Sequence, residues 1–198
     1  MKKYLLFCVF VTLAIPAICQ YKLFENYFNK FKLCSLPINS DSIIKEYSNT
    51  QNSITLEEFD YFIKDSNEVF WKYELYSNNA IHFFEYHPLC KFEMGKDKIG
   101  LLYSRSYFDN DMTKEKTDIV LSIYDLKGSK VSYLSIAGSR FDNFVSDIKF
   151  DEVSYKARIT ENYNIEITYS TYCWKDEKEH IIKNHYSITS EGKIIEIK

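Results

Sequence analysis

The side chains with the most chemistry to offer are four histidines, three cysteines past residue 19, and a short acidic run. His82 and His87, like His180 and His185, stand five apart. On a strand an odd separation puts two side chains on opposite faces, so neither pair can share a metal. Glu85 and His87 are two apart and share a face, with His82 and Cys90 nearby, yet zinc would need a further ligand from elsewhere. Asp109-Asn110-Asp111 spaces carboxylates as a calcium loop does. Lys114, however, stands where an EF-hand needs Gly, and Val120 where it needs a bidentate Glu. An acidic hairpin loop explains these residues more simply. Cys34, Cys90 and Cys173 are candidate nucleophiles, but no G-x-S-x-G elbow occurs and nothing brings an imidazole to any of them. Cys173 falls on the apolar face of its segment, which reads as an inert buried thiol. Glu57 and Glu58 are adjacent and belong to a helix cap, not to a glycosidase pair. No residue is therefore assigned a catalytic, cofactor-binding or metal-binding role. One recognition surface stands out. Tyr172 and Trp174 share the strand face opposite Ile167 and Tyr169, and Tyr103 and Tyr107 also alternate. Such a row is either an exposed aromatic binding patch or a second layer packed under helices.

What must position these groups begins after residue 19. Lys2 and Lys3, an apolar run over Tyr4–Ile15, Pro16 and Ala17-Ile18-Cys19 form the charged, apolar and cleavage-site pattern of an export signal. The run is far shorter than the ~20 residues a spanning helix needs. Cleavage is expected after Cys19, leaving Gln20 first. The rival reading, lipidation at Cys19, is disfavoured by the large Ile18 before it. The mature chain is expected to carry no transmembrane span and to lie in the periplasm or envelope.

Removing residues 1–19 from 198 leaves 179, the size of one ordinary domain. Lys2 and Lys3 leave with the signal, so 23 basic residues face 28 acidic ones, a net charge of −5. That argues against nucleic acid and against an anionic membrane surface, both of which need a basic face. Three cysteines allow one disulfide at most.

The N-terminal quarter has the period of helices. Tyr21, Phe24, Phe28 and Phe31, with Tyr27 beside them, line one face. Ser40 or Asp41 is placed to cap a short helix through Tyr47, and Thr55-Leu56-Glu57-Glu58 is a capping box ahead of a Leu56, Phe59, Phe62, Ile63 stripe. From about Val69 the period becomes that of strands. Asp125-Leu126-Lys127-Gly128 predicts a hairpin with Ile123 opposite Val131 and Leu121 opposite Tyr133. A loop at Asn162-Tyr163-Asn164 sets Ile159 opposite Ile167. Ser190-Glu191-Gly192 sets Ile188 opposite Ile194. Close-spaced strands with tight turns make an antiparallel sheet. The expectation is an α+β fold, with N-terminal helices packed on a curved, mainly antiparallel sheet of about seven to nine strands.

Phe28-Asn29-Lys30-Phe31-Lys32, Leu36-Pro37-Ile38-Asn39, Tyr124-Asp125-Leu126-Lys127-Gly128 and the closing Tyr186–Ile194 run resemble small exported proteins of Bacteroidota-type bacteria. The resemblance implies an envelope address and carries no functional residue with it. Asp41-Ser42-Ile43 resembles an O-glycan acceptor of such proteins, although a helix cap accounts for it better. The functional expectation is an exported, non-enzymatic module that recognises a protein partner in the envelope. A periplasmic immunity or inhibitor protein, a glycan-binding module and a hydrolase are the alternatives.

Overall fold

The computed structural model describes residues 22–47, 53–64, 71–72, 82–108, 114–141, 150–173 and 177–197. The export pattern at 1–19, Asp109-Asn110-Asp111 and Trp174 lie outside the described residues.

Helix α1 (residues 22–29) buries Phe24 and Tyr27, and Phe31 follows them just past its end. Helix α2 (Ser40–Tyr47) ends where expected. Ser40 is itself the first helical residue, and its buried Oγ accepts a hydrogen bond from the Ala157 N–H at 3.1 Å. That bond ties the start of α2 to β8. Helix α3 (Leu56–Glu58) runs on into one π-turn, Phe59–Ile63. Its capping box is complete: the Glu58 N–H donates to Thr55 Oγ1 at 3.3 Å and the Thr55 N–H to Glu58 Oε2 at 2.7 Å. Phe59, Phe62 and Ile63 are buried, whereas Leu56 is exposed, because the wider turn gathers only the later three on one side.

Glu58 is buried, and its Oε2 accepts from Lys30 Nζ at 2.6 Å, tying α1 to α3. Removing the cation leaves a carboxylate away from water with only the cap donors. Lys30→Met is expected to lower unfolding free energy by about 2 kcal/mol. Urea denaturation checks this, and a midpoint equal to wild type would show that the pair contributes nothing net.

The strands are β1 (Lys32–Leu33), β2 (Ile38–Asn39), β3 (Trp71–Lys72), β4 (His82–Met94), β5 (Lys98–Phe108), β6 (Lys114–Asp125), β7 (Lys130–Phe141), β8 (Phe150–Ile159), β9 (Asn164–Cys173), β10 (Lys178–Ile188) and β11 (Ile194–Ile197). The eight from β4 to β11 are neighbours in chain order, and each pairs antiparallel with the next. Among the described residues three two-residue strands complete an eleven-stranded sheet: β1, parallel, and β3 beside β4, and β2 beside β8. The fold is α+β with the sheet dominant.

Strand β7 belongs to two halves. Lys130–Ala137 pairs with β6, and Gly138–Phe141 turns away to pair with β8. The halves close on one core, in which Leu121, Ile123 and Leu102 of β4–β7 meet Ala157, Ile165, Ile167 and Ile188 of β8–β11. The other face of β4–β6 is covered by the helices through a second core of Phe24, Tyr27, Phe59, Phe62, Tyr86, Tyr103 and Tyr124. Strand β6 is thus buried on both faces, which explains the unbroken Ile119-Val120-Leu121-Ser122-Ile123-Tyr124, each of them buried.

Hairpin registers show how far turn chemistry reaches. Ile188 faces Ile194 as read from Gly192, whose φ is +83°. At Gly128 (φ +87°) the turn forms and Tyr124 faces Lys130, but a bulge then shifts the ladder by one residue. Ile123 faces Ser132 and Leu121 faces Leu134, not Val131 and Tyr133. The bulge puts Leu134 and Ile136 against the core and leaves Val131 and Tyr133 half-exposed. In the β8–β9 hairpin the loop is one residue earlier, so Ile159 faces Ile165 and Ala157 faces Ile167. Tyr163, not an Asn, takes the left-handed backbone (φ +60°). Its ring packs on the core and its carbonyl accepts from the Ile188 N–H at 3.1 Å, contacts that outweigh the local preference.

Candidate functional site

Helices α1 and α3 cover the outer face of β4–β6, and among the described residues Tyr172 on the outer face of β9 stays exposed. Alternation along β9 sends Ile165 and Ile167 inward, and Glu166, Thr168, Ser170 and Tyr172 outward. Register then builds the surface. Arg158 of β8 faces Glu166, which faces His185 of β10; Thr168 faces Lys183, and Ser170 faces Ile181. Lys183 Nζ donates to Glu166 Oε1 at 3.0 Å, and His185 Nδ1 lies 4.0 Å from Glu166 Oε2. The Lys183 hydrogen bond and charge, aided by His185 and Arg158, hold the Glu166 carboxyl below its ordinary range. These ions are solvated and contribute little to folding. Their effect is to give the face a fixed pattern of charge.

One end of the face deepens into a cleft of about 470 Å³ between the start of α2 and the strands. Asp41, Ser42 and Lys45 line one wall, and Lys156, Arg158 and Glu166 the other. Ser42 Oγ donates to the Asn39 carbonyl at 2.8 Å, so the hydroxyl of the Asp41-Ser42-Ile43 motif serves the helix start. At the far end Tyr172 is 39% exposed and Ile181 64%. Ile182, beside Ile181 but on the opposite face, is 54% exposed. Strand β11 pairs only with His185–Ile188 of β10. From Ile181 to Asn184, β10 has β9 on one side and no strand on the other among the described residues.

The residues singled out for chemistry are scattered. His87 and Glu85 meet at 3.1 Å at the surface of β4. His185 sits on β10 beside Glu166, and His180 is in register with Thr171 on the opposite face of that strand. Among the described residues no group of three His, Cys, Asp or Glu side chains could hold a metal ion. Tyr103 is buried in the second core, so the aromatic row divides: Tyr103 packs under the helices and Tyr172 does not. Tyr172 is exposed, whereas α1 and α3 pack on the β4–β6 half of the sheet. Two features escaped the sequence reading. The adjacency of Cys34 to Cys90 depends on the parallel β1–β4 contact, which no local pattern encodes. The β10 edge did leave a signal: Ile181 and Ile182 are consecutive, and two successive strand residues cannot both face one core.

Among the described residues no helix is long and apolar enough to cross a membrane. No family model, curated protein or solved structure matches the chain.

Proposed function

We propose that this chain is an exported, non-enzymatic module of the cell envelope that recognises a protein partner through β10. The observation that carries the reading is the Ile181–Asn184 edge, which has no second strand among the described residues and presents two consecutive exposed isoleucines. An extended edge is a template for another chain, and native proteins blunt such edges unless they are used. A partner strand added there gains main-chain hydrogen bonds, and the alternating side chains supply specificity. Ile181 points to the outer face beside Tyr172, and Ile182 to the other, so an added strand meets apolar surface on both sides. The charged pattern of Arg158, Glu166, Lys183 and His185 supports selectivity more than affinity. The export pattern of residues 2–19 and the resemblance to exported Bacteroidota proteins support the address.

The test is purification of the C-terminally tagged full chain from the envelope of its own host, comparing wild type with Ile181→Asp and Ile182→Asp. A single protein at near one-to-one ratio is expected with wild type, bound about tenfold more weakly by each variant. A companion toxin as that partner would identify the module as an immunity protein. A partner retained equally by both variants, or turnover of an envelope substrate lost on changing His87, would overturn the proposal.

A further inference from the structure

Cys34 and Cys90 are 56 positions apart in the chain, and the β1–β4 contact brings them to adjoining positions. Strand β1 lies parallel to the edge of β4, with Lys32 facing Cys90 and Leu33 facing Lys91. Alternation then puts Lys32, Cys34 and Cys90 on the same face, with Cys34 one step diagonal to Cys90. The contact continues past β1: the Cys34 N–H donates to the Lys91 carbonyl at 2.8 Å, and Cys34 Sγ reaches the same oxygen at 3.1 Å. Lys91 fastens the corner from its other face, with Nζ donating to the Phe28 carbonyl at 3.1 Å and standing 3.5 Å above the Phe28 ring. Both sulfurs are thiols. Their surroundings differ. Cys34 is half-buried at the sheet edge, and Cys90 is wholly enclosed in the core between the sheet halves.

We propose that Cys34 and Cys90 are a redox-active dithiol, and that a disulfide-bearing oxidant closes them into a Cys34–Cys90 bond that fastens the α1–β1 arm to the edge of β4. The two roles follow from access. Cys34 is the entry sulfur and Cys90 the resolving one. In the first step the Cys34 thiolate attacks one sulfur of the oxidant R–S–S–R. The Cys34–S–R bond forms, and the first R–S⁻ leaves and takes up a proton. In the second step the Cys90 thiol loses its proton to the departing group as its sulfur attacks Cys34 Sγ. The Cys34–S–R bond breaks, and the second R–SH is released. Two protein thiols are oxidised by two electrons, and one oxidant disulfide is reduced to two thiols. The hydrogen bond between the thiols is the largest influence on both: it holds Cys34 below the ordinary thiol range and pushes Cys90 above it, and burial raises Cys90 further. An accessible sulfur with more thiolate character beside a resolving partner is the usual arrangement of a reversible redox pair. A disulfide holds its sulfurs about 2.05 Å apart, so the two sulfurs must close on one another as the bond forms. A two-residue edge strand can accommodate this without disturbing the longer ladders.

The inference is independent of the β10 reading and has its own test. The tagged protein, purified as its host makes it and then reduced, is equilibrated with oxidised glutathione. Thiol alkylation and peptide mapping follow. The expected result is a single cross-linked peptide joining Cys34 to Cys90, and a melting temperature roughly 5 °C above that of the reduced protein. Dithiothreitol should reverse both changes. Cys34→Ser is nearly isosteric at a half-buried site; it should melt like reduced wild type and show no oxidation-dependent shift. Cys90→Ala should stop at glutathione on Cys34, trapping the first intermediate. Glutathione accumulating on Cys34 of wild type without a cross-link, a bond made to Cys173 instead, or no reaction at all would each overturn the proposal.

Discussion

Gly138→Val is expected to cost about 4 kcal/mol of stability, since added backbone strain and overpacking each cost roughly 1–3 kcal/mol. Gly138 is the residue at which β7 leaves β6 and joins β8, between the Ile119–Ala137 and Gly138–Tyr155 pairs. Its φ is +148°, a backbone conformation side chains rarely tolerate. A Cβ there would stand 2.2 Å from Asp118 Oδ1 and 3.0 Å from both the Asp118 Cα and the Thr117 carbonyl oxygen. Asp118 cannot simply yield, because its carboxylate accepts from Arg105 Nη2 at 2.7 Å and from the Tyr155 hydroxyl at 3.1 Å. The substitution therefore attacks the corner that joins the two halves of the sheet. Gly95→Ala is the control: its φ is +63°, but nothing lies within 4 Å of the added carbon. Strain alone should cost it about 1 kcal/mol. Guanidinium denaturation of both variants separates clash from strain, and equal losses would show that β7 does not cross between the halves at Gly138.

Phe62→Ala should cost about 3–5 kcal/mol and lower the melting temperature by roughly 10 °C. The ring is buried between the π-turn and α1, stacked on Tyr27 at 4.9 Å between centroids and edge-on to Phe24 at 5.4 Å. The carbonyl of the same residue accepts from the Tyr124 hydroxyl of β6 at 2.6 Å, so Phe62 joins helix, helix and sheet. Truncation empties the middle of an aromatic layer whose neighbours are held by their own elements and cannot collapse inward. Near-UV circular dichroism should lose intensity along with stability. A loss under 1 kcal/mol would mean that the helical layer is not what seals this face of β4–β6.

These two residues mark different degrees of legibility. Phe62 was on a stripe readable from the sequence, because a capping box and a helical period are local properties of about ten residues. The same is true of the turns at Gly128 and Gly192, where a left-handed backbone is needed and glycine supplies it. Gly138 carried no such signal: it sits inside an otherwise regular strand pattern, and only the crossing of β7 between the halves requires it. The candidate site divides in the same way. The outward position of Tyr172 follows from alternation with Ile167 and Tyr169, and consecutive isoleucines at 181 and 182 betray a strand that leaves the core. Which half of the sheet α1 and α3 reach is a matter of tertiary packing, and they reach β4–β6. Registers past the first pair of a hairpin were settled by bulk. Leu134 and Ile136 won the core from Val131 and Tyr133, and the Tyr163 ring drew its loop one residue toward the N-terminus. The sequence alone determined the element types, the turn chemistry and the α+β order, because caps, periods and left-handed glycines act over a few bonds. Only the tertiary structure decided the bulges, the half of the sheet that α1 and α3 cover and the approach of Cys34 to Cys90, because these depend on packing between residues distant in the chain.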